Sequence, residues 1–131
     1  MYILKLIQKF MDLLNGKRSV TERVSAVVTR DWQEIAALVK GGSLSQLKQA
    51  LIVADKSLDS VLKDLVAGEA MGERLKNAKQ LFHPQTYDKL WQAHKLRNAL
   101  VHESGFEVQS FILKAATESF RSALRELGLK L

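Results

Sequence analysis

The chain contains no cysteine, a single proline, seven glycines and few aromatic residues, with Phe, Trp and Tyr together at 7%. Without cysteine there are no disulfides and no thiolate metal sites, and a reducing, cytoplasmic setting is the natural expectation. With one proline there are few places where a helix is forced to break. No stretch shows the period-two alternation of a half-buried strand. The apolar N-terminal run is too short to span a bilayer and carries no small-residue cleavage site, so neither a transmembrane helix nor a signal peptide is expected there.

What remains is an ordinary globular composition: 131 residues, 47% apolar and 26% charged. That length suits one domain with one core, and the composition argues against disorder and against a repeat array. The net charge is +6. The excess is concentrated at residues 1–20, which carry +3, and at 85–102, which carry +2, whereas 21–67 and 103–131 are each balanced. A basic surface suits a polyanion such as RNA, DNA or an anionic membrane, and equally serves plain solubility.

Along the chain, Ile3, Leu4, Ile7, Phe10, Met11 and Leu14 fall at helical spacing, giving a first amphipathic helix that ends at Asn15-Gly16. It has three uses: packing on the domain, pairing with a second copy, or peripheral membrane contact through residues 1–14. Ser19 or Thr21 then caps a helix reaching Lys40, with Ser19 and Glu22 spaced as in a capping box and Val24, Val27, Val28, Trp32, Ile35, Leu38 and Val39 inward. Gly41-Gly42 ends it. Ser43 opens the most regular helix, whose Leu44, Leu47, Leu51, Ala54, Leu58, Val61 and Leu65 alternate by three and four like a bundle seam. A short helix through Leu75, Ala78, Leu81 and Phe82 follows the breaks at Gly68 and Gly72. Pro84 suits the first turn of a helix over 84–102, closed by Ser104-Gly105. A last helix over about 107–128 turns Phe111, Ile112, Ala115, Phe120, Leu124 and Leu127 inward. The fold class is all-α, an antiparallel up-and-down helical bundle over 43–131 preceded by an N-terminal helical segment, 1–42.

The 84–102 helix breaks its own pattern. Leu90, Ala93, Leu96, Leu100 and Val101 form one apolar arc, and Arg97 stands inside it. A guanidinium cannot discharge itself, so it must reach solvent, pair with an acid such as Asp55, or hold an anion at a second surface. Beside it His94, Asn98 and His102 stack at intervals of four on the adjoining face.

The run Lys95-Leu96-Arg97-Asn98-Ala99-Leu100-Val101-His102 resembles the HEPN family signature, an arginine followed four to six residues later by histidine. The order of helices over residues 43–128 is similar to the HEPN four-helix arrangement. The resemblance implies a metal-independent endoribonuclease that needs no cofactor, cleaves single-stranded RNA, and acts as a toxin or defence effector with an antitoxin protein as a further partner. It also implies a homodimer in which two motifs share one cleft. Arg97 and His102 would be catalytic, the first holding the scissile phosphate and the second moving protons. Asn98, His94 and Lys95 would support them or bind substrate. Arg97 and His102 lie five residues apart and point roughly 140° from each other on a regular helix, so two motifs across a two-fold axis converge on a phosphate more easily than one.

Ser104 stands where many relatives with nucleotidyltransferase antitoxins carry tyrosine, so silencing through such a tyrosine is not expected. Other chemistries find little footing. His94 and His102 are about 12 Å apart along the helix axis, too far for one metal. Gly41-Gly42 lacks the lysine and hydroxyl of a P-loop. Trp32 and Trp91 read as core or interface anchors rather than base-stacking platforms. The rival to the nuclease is a non-catalytic helical module that binds RNA, nucleotide or a protein partner. The two differ in whether Arg97 and His102 are reachable at a shared cleft or Arg97 is buried on Asp55 within one chain.

Overall fold

The computed structural model describes residues 3–7 and 18–131. They form an all-α bundle of α1 (Glu22–Gly41), α2 (Leu44–Leu65), α3 (Met71–Asn77), a 3-10 turn (Lys79–Leu81), α4 (Pro84–His102) and α5 (Ser110–Glu126). Among the described residues no helix is long and apolar enough to cross a membrane.

Helix α1 starts at Thr21 rather than at the Ser19 capping box. The Thr21 hydroxyl accepts from the Val24 amide at 3.3 Å. Its own amide and hydroxyl donate to Asp64 near the end of α2, at 2.9 and 3.0 Å. Ser19 has no comparable bond to α2, which is why the second candidate prevails. Gly42, at φ 74°, reverses the chain in the left-handed region that favours glycine, and its amide closes the helix on the Leu38 carbonyl. Ser43 and Gln46 then form a reciprocal capping box that starts α2.

Helix α2 is the axis of the molecule. Leu47, Ala50, Leu51, Ala54, Leu58, Val61 and Leu62 are all buried, while Leu44, the first helical residue, is exposed. Val28, Trp32 and Ile35 of α1 join the same core, as do Leu75, Phe82, Leu90, Leu113, Phe120 and Leu124. The core therefore runs unbroken across residue 42. The Thr21–Asp64 bonds make α1 and α2 antiparallel. Bonds from the His83 amide and the Thr86 hydroxyl to Glu126 do the same for α4 and α5.

The last helix turns Phe120 and Leu124 inward as expected, with Leu127 packed against the core, and differs from expectation in its first turns. Phe111, Ile112 and Ala115 face outward, and the buried stripe is Leu113, Ala116, Thr117, Phe120, Ala123 and Leu124. Leu113, Phe120 and Leu124 set the phase, and small residues fill the gaps between them against α2. The two bulkiest residues of the first turn are left outside. At the N-terminus residues 3–7 are helical, with Ile3, Leu4, Leu6 and Ile7 exposed. The remainder of the expected first helix, including Phe10, Met11 and Leu14, lies outside the described residues.

Candidate functional site

Helix α4 runs from Pro84 to His102, the bounds expected from the sequence. His83 precedes it as N-cap, its Nδ1 accepting from the Gln85 amide at 3.3 Å. Leu90 and Ala93 are buried toward the core, Leu96 and Leu100 are half-buried, and Val101 is exposed. That burial fixes the rotation of the helix and thereby aims His94 and Arg97 at α2.

There, four side chains close a ring. His94 Nδ1 lies 2.8 Å from Asp55 Oδ1, and both residues are buried. With that nitrogen donating to the carboxylate, Nε2 of the same imidazole accepts from Asn98 Nδ2 at 3.4 Å. Asn98 Oδ1 in turn accepts from Arg97 Nη1 at 3.1 Å. Arg97 Nε returns to Asp55 Oδ2 at 3.5 Å, near enough for charge attraction but making no hydrogen bond. Each contact orients the next, so the amide of Asn98 and the guanidinium of Arg97 are held by a chain anchored on one buried carboxylate.

A second arginine gives this ring its scale. One turn along α2, Asp59 accepts from Arg74 Nε at 2.7 Å and Nη2 at 2.9 Å, and Arg74 Nη1 donates to the Gly68 carbonyl at 2.9 Å. The hydrogen bond to the Asp59 carboxylate raises the Arg74 pKa further, outweighing its desolvation. The Arg74 side chain is 8% exposed; that of Arg97 is 28% exposed. All three guanidinium nitrogens of Arg74 donate within the chain, whereas Arg97 donates only from Nη1, its Nε being buried against Asp55 without a hydrogen bond.

His102 is the last residue of α4 and is exposed. It stands outside the ring that gathers His94, Arg97 and Asn98. Lys95 is exposed, with its Nζ 5.9 Å from the centre of the Trp91 ring. Trp32 is buried, its ring covered by Arg121 at 5.2 Å, while Trp91 is half-buried. A groove of about 430 Å³ between α4 and α5 is lined by Lys89, Gln92, Leu96, Ile112 and Ala116 among others. Those α4 positions are on the side of the helix opposite His94, Asn98 and His102. The ring does not contribute to it.

The sequence places Asp55 opposite Arg97; the structure gives Asp55 its tighter partner in His94. The available signal was an acid inside the apolar stripe of α2 matched by a histidine in the inward half of α4. Partners across two helices also depend on their axial register, which neither helix encodes alone. No protein-family model matches the chain, and no match emerges among curated proteins or solved structures.

Proposed function

We propose that the protein is a metal-independent endoribonuclease of HEPN type that cleaves single-stranded RNA as a homodimer, with Arg97 and His102 as its catalytic residues. The observation that carries this reading is the state of Arg97: oriented by Asp55 and Asn98, part-exposed, and with most of its donors unused. A guanidinium so held is suited to a phosphate, which accepts in the same bidentate geometry as a carboxylate. Asn98 positions it. His94, buried and bound to Asp55, anchors the ring. His102, exposed at the helix end, is the group free to exchange protons with substrate.

In the proposed reaction the RNA 2′-oxygen attacks the adjacent phosphorus as the bond from phosphorus to the 5′-oxygen breaks. One His102 takes the 2′-hydroxyl proton, and the partner copy's equivalent histidine donates a proton to the leaving 5′-oxygen. The products are a 2′,3′-cyclic phosphate and a 5′-hydroxyl. Arg97 offsets charge building on the non-bridging oxygens. Homodimerisation is favoured by Val101, Phe111 and Ile112, apolar and exposed at the end of α4 and the start of α5. A toxin or defence role in the cytoplasm, with an antitoxin, completes the reading.

A second reading has one observation in its favour: Arg97 approaches Asp55 within its own chain. It makes the bundle a non-catalytic binding module. Incubating labelled single-stranded RNA in EDTA with the parent, Arg97→Ala and His102→Ala at matched folded concentration separates the two. Cyclic-phosphate ends from the parent alone support the nuclease. A folded parent that cuts no RNA, or variants that cut as well as the parent, would overturn it.

A further inference from the structure

On a regular helix, Tyr87, Trp91, Lys95, Asn98 and His102 of α4 fall within an arc of about 80°. The structure makes the first part of this stripe an aromatic and basic surface. The rings of Tyr87 and Trp91 meet edge to face at 6.3 Å between centres, and both residues are half-buried. Trp91 also meets the His94 ring edge to face at 6.0 Å, so the indole abuts the polar ring of the site itself. The far edge of the indole lies beside Gly72 of α3, where an added Cβ would come into ordinary contact with Trp91 Cη2. Two exposed lysines lie over these rings, Lys79 Nζ at 6.0 Å from the centre of Tyr87 and Lys95 Nζ at 5.9 Å from that of Trp91. Trp91 is half-buried and the lysine over it is exposed, so part of the indole is open to solvent.

Aromatic faces held rigidly at their edges, with cations beside them, are the elements that bind an unpaired polynucleotide strand: bases stack on the rings and lysines meet the phosphates. Trp32, the other tryptophan, shows the contrast, being buried in the core beneath Arg121. From this stripe we infer that Tyr87 and Trp91, with Lys79 and Lys95, form a base-stacking platform that leads an unpaired RNA strand along α4 to Asn98 and His102. The inference rests on the nuclease reading above and adds a substrate requirement to it. Trp91 to His102 spans about 16 Å along the helix axis. At a stacked rise of about 3.4 Å per nucleotide, that span covers at most about five nucleotides. The platform thus demands unpaired bases to one side of the cleaved bond, and a base locked in a duplex cannot stack on it.

The test uses the intact protein and a 2′-O-methyl adenosine decamer, which binds without being cleaved, against the same strand paired in a duplex. Titration of the parent with the single strand quenches tryptophan fluorescence, and the duplex does not. In Trp91→Phe the quenching disappears and affinity falls modestly. In Trp91→Ala, provided circular dichroism shows it folded, affinity falls about tenfold or more. Lys95→Glu, a change at an exposed position, keeps the fold, weakens binding about tenfold and flattens its salt dependence. Quenching that persists in Trp91→Phe overturns the platform, as does equal binding of duplex and single strand. RNA cleavage by a parent that passes neither criterion removes the platform and leaves the nuclease. Quenching and single-strand preference in a parent that never cleaves support the platform and remove the nuclease.

Discussion

Arg74 and Arg97 reach α2 at Asp59 and Asp55, one helical turn apart, and end in opposite conditions. Arg74 is buried, doubly bonded to its carboxylate and bonded again to the Gly68 carbonyl. Arg97 is part-exposed and donates its single hydrogen bond to Asn98 Oδ1, while the carboxylate it faces is already engaged by His94. Proximity of an arginine to an acid therefore does not by itself engage the arginine; what differs between the two is how many of their donors are used.

The largest expected effect is on chemistry at the open arginine. On the proposed nuclease reading, Arg97→Ala lowers RNA cleavage by about 100-fold or more, a range typical for removing a group that stabilises developing charge, while the melting temperature falls less than in Arg74→Ala. The pair with Asp55 is long and its guanidinium part-exposed, and the buried carboxylate keeps its bond to His94 when the arginine is removed. Arg74→Ala inverts that outcome. Removing one partner of a largely buried pair costs about 3 kcal/mol, or a drop of about 10 °C in melting temperature for a domain of this size. Cleavage per folded molecule stays unchanged. Calorimetry and a cleavage assay normalised to folded protein read both.

Asp55→Asn falls between the two. It keeps the shape of the ring but removes the charge that holds His94 and attracts Arg97. A loss of about 1–3 kcal/mol in denaturant midpoint analysis should accompany a fall in cleavage of about tenfold. If Asp55 served only to neutralise Arg97 structurally, activity would not change. The smallest effects come from conservative changes. Arg97→Lys retains a cation without the planar fork and keeps part of the activity, whereas Arg74→Lys loses the bidentate pair and about 1 kcal/mol of stability.

Only one side of this contrast was legible in the amino-acid sequence, along with much of the fold, and the rest was hidden for identifiable reasons. The bounds of α4 were readable because Pro84 and Ser104-Gly105 punctuate them, and the inward seam from Leu47 to Val61 was readable from strict three-four spacing. In α5 the inward places of Phe120 and Leu124 were readable and the face of the first turns was not, since Phe111 and Ile112 outweigh small buried residues such as Ala116 and Thr117 in any count of apolar bulk. Arg97 stood out as a charge inside an apolar arc. Arg74, the more deeply buried of the two, gave no such signal, because its short helix has too few turns to define a face. The Asp55–His94 bond depends on how α2 and α4 slide past each other, information held in the packing and in neither helix alone.

The most direct test places the two arginines side by side: cyclic-phosphate production from labelled single-stranded RNA in EDTA by the parent, Arg97→Ala and Arg74→Ala, each corrected for its folded fraction. The expected result is full activity for folded Arg74→Ala and near-complete loss for Arg97→Ala. Equal activity in both variants, or a greater loss in Arg74→Ala, would contradict the proposed division between a structural arginine and a phosphate-binding one.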